Sequence, residues 1–203
     1  MNPPLIQRLR WEGSGQKTAT NTTGDRTAMA RSGAYLFAAG ASMALILFLT
    51  LPRPEADTLG MLGTVAAAYA LAVAVVVGFD RISEGTFAWI VACGSLVITS
   101  GIYFRGAPTT AHALFYLWVT FYSFYFFSRA VALAELAFSV ACYASVLSVL
   151  EHPPGNRVEL WLITLGTLVV AGALISILRD RISEAPGRSR LGLGHGQRQL
   201  PVR

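Results

Sequence analysis

Charged residues are scarce in this chain, and long parts of the sequence lack them. Only 13% of its 203 residues are charged, whereas 54% are hydrophobic. Soluble domains have about 25% charged residues, so this composition argues against a water-exposed fold. It favours a membrane protein, in which a helix of about 20 apolar residues crosses a hydrocarbon core about 30 Å thick.

Cysteine and histidine are also rare, which limits metal and redox chemistry. Cys93 and Cys142 lie inside apolar segments without metal or redox spacing, so we expect them to be unpaired packing residues. His112 and His152 fall at the edges of loops, and His195 lies in the C-terminal tail. Because no common ligand point is predicted for these side chains, we expect no metal ion, haem or other cofactor.

The sequence contains no pattern typical of an enzyme. It has no glycine-rich phosphate loop, no HExxH motif, no nucleophile with a nearby base and no soluble block long enough for a catalytic domain. The net charge of +5 is concentrated in loops and tails, where the asymmetry of membrane topology explains it better than nucleic-acid binding does. We therefore expect neither an enzyme nor a nucleic-acid partner.

Six apolar segments have the length of a membrane span. The sequence therefore predicts an all-α, polytopic membrane protein, an up-and-down bundle of six transmembrane helices within residues 33–182, with the lipid bilayer as partner. The predicted spans are 33–51, 59–79, 86–104, 111–128, 130–150 and 158–178. The flanking polar segments, 1–32 and 183–203, have no apolar period, and we expect them to be disordered tails.

The basic residues are distributed unevenly between the two predicted sides. With the N terminus inside, thirteen of the 16 lysines and arginines lie on the cytoplasmic side, and Arg53, Arg105 and Arg157 lie outside. Loops with excess positive charge stay in the cytoplasm. This split predicts a multi-pass protein of the cytoplasmic (inner) membrane with both termini in the cytoplasm.

The fourth segment is unusually aromatic. Nine aromatic residues in 112–129 cover every side of a helix, as in a helix that is buried all round. One interpretation is packing against lipid. The other is a pocket for an apolar or quinone-like ligand, because ligand pockets are mostly apolar with a few placed polar groups. Its lining would be the aromatic residues with a hydroxyl or N–H group, namely Tyr116, Trp118, Tyr122 and Tyr125.

Glu135 is the one acidic residue well inside a predicted span. A buried carboxylate in a membrane usually marks a function, so one interpretation is a protonatable polar switch, or the proton or cation site of a small transporter or channel. A polar contact to Tyr122, Tyr125 or Ser128 on the preceding helix is a further alternative. The other is a carboxylate that snorkels to the cytoplasmic surface near Arg129, about 9 Å away along the helix. Transporters often contain inverted repeats or broken helices, for which the sequence gives no support.

Small residues form one face of the second segment. Ala66, Ala70, Ala74 and Gly78 recur every four residues, and small residues let two helices approach closely in lipid. We predict a helix-packing face here. Its partner is either a helix of the same chain or a second copy, and we expect a homodimer through the transmembrane helices.

Two stretches resemble a known family. LWVTFYSFYFFSR at 117–129 and TLGTLVVAGALISILRDRI at 164–182 are similar to the membrane-embedded N-terminal region of bacterial GGDEF proteins, the diguanylate cyclases, over about residues 29–182. The resemblance implies a sensory input region whose last span continues, through Arg179, Asp180 and Arg181, as a signal output helix.

In that family the output helix leads to a domain that makes cyclic di-GMP from two GTP molecules. Here Pro186 and Gly187 are expected to stop the helix, and no GGDEF motif follows, so no catalytic residue is carried over. The resemblance therefore implies a sensor half without its output, through truncation, a change of reading frame or a separately encoded cytoplasmic partner. The true start, at Met1 or Met29, stays open.

Overall fold

The computed structural model describes residues 5–51, 56–78, 83–106, 110–150 and 156–193, with side chains described at 27–51, 56–78, 83, 85–106, 113–150 and 156–182. All regular structure in this part of the chain is helical. The six helices are α1 (Leu5–Thr50), α2 (Thr58–Gly78), α3 (Glu84–Arg105), α4 (Thr110–Phe126), α5 (Arg129–Val149) and α6 (Arg157–Leu193).

Five of these helices contain a segment long and apolar enough to cross a membrane: Thr27–Thr50, Thr58–Gly78, Gly85–Arg105, Arg129–Val149 and Arg157–Ile182. Only 17% to 44% of the most apolar part of each segment is buried within the chain. The remaining apolar surface would cost about 25 cal/mol per Å² in water, a cost that lipid removes. The chain is therefore an all-α, multi-pass membrane protein, as predicted.

Helix α4 is shorter than the other five. It has 17 residues, which correspond to a length of about 25 Å, slightly less than a hydrocarbon core of about 30 Å. Length and composition therefore support five spans in the described residues. A sixth span, through α4, stays a prediction.

The two terminal helices extend beyond the predicted spans. Helical backbone covers residues 5–32 and 183–193, for which the sequence predicted disordered tails. Helix α6 continues through Pro186 and Gly187, so the expectation that these two residues stop it is wrong. In residues 27–32, Ala28, Met29 and Ala30 are good helix formers, and the Ser32 hydroxyl donates to the Ala28 carbonyl at 2.7 Å. Residues 1–4 and 194–203 lie outside the described part of the chain.

Helices α1 to α3 form one compact unit, which extends to Gly106. Helix α2 contacts both α1 and α3. It buries residues spaced three or four apart, which places them on one face. These residues are Met61, Val65, Ala68, Ala72 and Val75.

Polar contacts close one end of this first unit. Arg105, at the end of α3, is 5% exposed and donates from Nη2 to the carbonyls of Leu47 and Leu51 at 3.3 and 3.4 Å. The Leu47 carbonyl lies in the last turn of α1 and also accepts from the Leu51 amide at 3.1 Å, whereas Leu51 directly follows the helix. The Asp57 carboxylate accepts from the first amides of α2, and the Asp57 amide donates to the Phe104 carbonyl at 2.9 Å.

Helices α4 to α6 belong to the second compact unit, 107–203, and each helix contacts the other two. Phe127 and Ser128 alone separate α4 from α5, so these two helices form a tight antiparallel hairpin. The aromatic ring of Phe124 packs against α6 at Gly172, where an added Cβ would lie 2.7 Å from ring atom Cε2. Glycine at this position therefore permits close packing of α4 on α6.

Candidate functional site: a buried polar column

Polar side chains form a row on the buried face of α4. Tyr116, Thr120 and Ser123 are four and three residues apart, so they lie on one side of the helix. Each is at most 2% exposed. This face is polar within a helix whose other side chains are almost all apolar.

A second polar row lies on the buried face of α5. Glu135, Ser139 and Tyr143 follow one another at intervals of four residues, which also places them on one side of the helix. All three are at most 7% exposed. The row spans eight residues, or about 12 Å along the helix.

The two rows lie side by side. The rings of Tyr116 and Tyr143 meet edge to face, with centroids 6.0 Å apart. Helices α4 and α5 are antiparallel and rise equally per residue. One turn from Tyr116 towards the C terminus of α4, and one turn from Tyr143 towards the N terminus of α5, therefore bring Thr120 level with Ser139. About one more turn brings Ser123 level with Glu135.

Helix α6 contributes Thr164 to the same interior. Thr164 is 4% exposed, and its side chain interacts with the Tyr143 hydroxyl, although the two groups do not meet hydrogen-bond geometry. We call the seven side chains together the polar column. It consists of Tyr116, Thr120, Ser123, Glu135, Ser139, Tyr143 and Thr164.

Several polar atoms of the column have no hydrogen-bond partner among the described residues. They are Thr120 Oγ1, Ser123 Oγ and Glu135 Oε2. An unpaired buried polar group costs about 1–3 kcal/mol, and more where lipid excludes water. Such groups in a native protein usually indicate a water molecule, an ion or a functional role.

Glu135 does not occupy the position of a snorkelling carboxylate. It is 7% exposed, so its side chain lies within the second unit rather than at the membrane surface. Arg129, the cation that was expected near it, is 73% exposed and forms an ion pair with Asp180 at 2.6 Å. Glu135 is therefore a buried polar group, and its role as a protonatable switch or a transport site stays a prediction.

The four aromatic residues predicted to line one pocket are not brought together. Tyr116 and Tyr122 are buried, whereas Tyr125 is 50% exposed. Trp118 is partly buried and packs edge to face on Phe115, with ring centroids 5.8 Å apart. The prediction of inward-facing tyrosines is wrong for Tyr125 because its angular position on α4 lies opposite to that of Tyr116.

An apolar groove lies between α4 and α6, and none of these four aromatic residues is among its lining residues. Its volume is about 660 Å³. A much smaller void of about 20 Å³ adjoins it and is lined by Thr164 and Thr167. The groove and the void share three lining residues: Leu117, Ile163 and Thr167.

The predicted small-residue face of α2 does not pack within the first unit. Ala66, Ala70 and Ala74 are exposed, and Gly78 is partly exposed. These residues lie on the side of α2 opposite to Val65, Ala68 and Ala72, which pack inward. A packing partner for this face is therefore not found among the described side chains of α1 and α3, and the homodimer stays a prediction.

The predicted output residues connect α6 to the hairpin of α4 and α5. Arg179 donates from Nη1 to the carbonyls of Phe124 and Phe127, at 3.3 and 2.7 Å. Asp180 pairs with Arg129 at the start of α5, and Arg181 is exposed. Two of the three residues therefore hold the end of α4 and the beginning of α5.

The remaining predictions concern histidine and cysteine side chains. Those of His112, His152 and His195 lie outside the described residues. Among the described side chains, no group of three histidine, cysteine or acidic residues has the arrangement of a metal site. Cys93 is exposed and Cys142 is buried, and both are free thiols.

Sequence reasoning missed five members of the polar column, and a periodic signal was present for most of them. In α4 the residues that follow Tyr116 on the same face are both hydroxyl-bearing, and in α5 the same holds after Glu135. Polar residues at helical spacing would have indicated two facing rows. Thr164 carries no such signal, because its place depends on how α6 packs. The missed residues are Thr120, Ser123, Ser139, Tyr143 and Thr164.

Comparison with protein-family models, with curated proteins and with solved structures finds no match to this chain.

Proposed function

We propose that the chain is a sensory or regulatory module of the inner membrane, similar in role to the input regions of diguanylate cyclases and without a catalytic domain of its own. Its output is helix α6, whose cytoplasmic end acts on a separately encoded cytoplasmic protein. The termini lie in the cytoplasm, in agreement with the distribution of basic residues.

The observation that carries this proposal is the junction at Arg179 and Asp180. Helix α6 is continuous over 37 residues, or about 55 Å, which is longer than a hydrocarbon core. Where it leaves the apolar segment, Arg179 and Asp180 bind the adjoining ends of α4 and α5. A change in the packing of the second unit therefore moves the helix that carries the signal.

A fusion to a dimerisation-dependent cyclase domain tests this role. The domain is joined in frame after residue 203 of the full chain, and cyclic di-GMP is measured in cells that lack other cyclases. We expect Arg179→Ala to change the output several-fold, since it removes a contact at the junction, and Arg181→Ala, at an exposed neighbour, to leave it unchanged. Equal output from the fusion, both variants and the cyclase domain alone would contradict the sensory role.

The proposed homodimer uses the outward face of α2. The exposure of Ala66, Ala70 and Ala74 leaves room for close approach of a second copy. In a chain with Cys93→Ala and Cys142→Ala, we expect Ala70→Cys to form disulfide-linked dimers in membranes. Ala68→Cys is the matched control, because Ala68 packs inside the first unit against Ala41 and Val65. Cross-linking that is equal at the two positions would contradict this interface.

A small transporter or channel is the second candidate, and the burial of Glu135 favours it. Transport predicts an ion or proton flux in proteoliposomes that depends on pH and disappears in Glu135→Gln. A sensory module without transport shows no such flux, so this measurement separates the two functions.

A further inference from the structure

Two hydroxyls of the column, those of Thr120 and Ser123, differ from several other serine and threonine hydroxyls in the described membrane helices. The hydroxyls of Ser42, Thr64 and Thr167, for example, donate to a carbonyl one turn earlier at 2.8 to 2.9 Å. This internal bond satisfies a hydroxyl within lipid. Thr120 and Ser123 make no such bond, so their hydroxyls are available to a molecule inside the column.

Among the described side chains of the second unit, no cation neutralises Glu135. On its own helix, Arg129 is exposed and paired with Asp180 of α6. Arg179 of α6 donates to carbonyls of α4. The other buried titratable groups among the described side chains of this unit are Tyr116 and Tyr122 of α4 and Cys142 and Tyr143 of α5. A lone buried carboxylate is stable when a proton or a bound cation removes its charge.

Water has room at the opposite end of the column. The void beside Thr164 has a volume of about 20 Å³, which is room for a water molecule, and its polar lining residues are Thr164 and Thr167. Thr164 lies next to Tyr143, from which the α5 row leads to Glu135. The polar atoms therefore extend from a water-sized space to the carboxylate without an intervening apolar level.

We propose that the polar column is a hydrated proton path that begins at Thr164 and ends at Glu135. A hydronium ion at the Thr164 end gives a proton to water and hydroxyl groups in the column. The last member gives its proton to the Glu135 carboxylate, which becomes a neutral carboxylic acid, and the original hydronium ion becomes water. In the predicted topology Thr164 lies closer to the outer surface of the membrane than Glu135 does, so the stimulus is external acidity. Only the assignment of external acidity as a stimulus rests on the proposed sensory function; the proton path itself does not.

Infrared difference spectroscopy of the full chain in lipid nanodiscs tests the path. We expect a carboxylic acid carbonyl band that appears on acidification and is absent in Glu135→Gln. Exchange of this proton for deuterium is expected to slow by roughly five- to tenfold in Thr120→Val and in Ser139→Ala, the equivalent of about one hydrogen bond. Thr64→Val and Ser148→Ala are matched controls, because both hydroxyls lie outside the column and bond to nearby carbonyls.

Three results would overturn the proposal. The first is a spectrum without a band that depends on Glu135, and the second is deuterium exchange at the original rate in both column variants. The third is a Glu135-dependent stabilisation of the protein by sodium rather than by acid, which would identify a sodium site. If Glu135→Gln does not accumulate, Glu135→Asp keeps the acid and is expected to shift the band, and an unshifted band counts against the path. A silent cyclase fusion with an intact band removes the sensory function but leaves the proton path.

Discussion

Two glycines of α6 differ in what surrounds them, and this difference predicts opposite responses to alanine. At Gly172 an added Cβ would lie 2.7 Å from the Phe124 ring, whereas at Gly166 nothing lies within 4 Å. We expect Gly172→Ala to displace the ring and destabilise the protein by about 1–3 kcal/mol, the usual cost of overpacking. Thermal unfolding in detergent should show a lower midpoint for Gly172→Ala and an unchanged or higher midpoint for Gly166→Ala. Equal midpoints would contradict the packing at Gly172.

The sequence pointed to two residues of the column, Tyr116 and Glu135, and missed the other five. Glu135 was identified because a carboxylate inside an apolar segment is costly and therefore rare. Thr120 and Ser123 were missed because serine and threonine are common in membrane helices, where an internal bond usually satisfies them. Only the three-dimensional structure shows that these two hydroxyls lack that bond.

The two polar contacts of α6 with the α4–α5 hairpin differ in strength, and we expect their removal to lower the stability of the protein by different amounts. Arg179 donates to carbonyls at the end of α4, where the helix has no donors of its own, so we expect Arg179→Ala to cost about 1–2 kcal/mol. The Arg129–Asp180 pair is 73% and 53% exposed, and such surface pairs contribute about 0.2–1 kcal/mol.

A double-mutant cycle with Arg129→Ala and Asp180→Ala measures the coupling of that pair by thermal unfolding. We expect a small coupling that decreases as salt is added, because the charges are screened. Arg181→Ala is the control for loss of a basic residue near the same surface. A coupling larger than the effect of Arg179→Ala would mean that the ion pair, rather than Arg179, is the stronger attachment of α6.

The helices themselves were largely predictable, and their outer limits were not. Predicted and observed ends of α2, α3 and α5 agree within two residues, since these helices end where the apolar run ends. Helices α1 and α6 continue past it because an apolar run marks the limits of the lipid core, whereas a helix ends only where its hydrogen bonds stop. The aromatic residues of α4 likewise predicted a buried helix without indicating which of them face inward.

Whether α4 crosses the membrane determines the topology of the whole chain. Six spans place the two termini on the same side, and five place them on opposite sides. We expect six, because the basic residues favour two cytoplasmic termini and a bilayer can thin slightly around a span of about 25 Å. Fusions of green fluorescent protein and of alkaline phosphatase to each end measure this: fluorescence at both ends, without phosphatase activity, supports six spans, and phosphatase activity at one end contradicts it.

The two attachments of α6 restrict the motions that are open to it in its proposed role as the output helix. Arg179 grips the end of α4 and Asp180 grips the beginning of α5, so a piston-like slide of α6 by one residue, about 1.5 Å, would strain both attachments together. A pivot about that point leaves both intact. In the proposed sensory role, α6 is therefore expected to pivot at Arg179 and Asp180 rather than to slide along its axis.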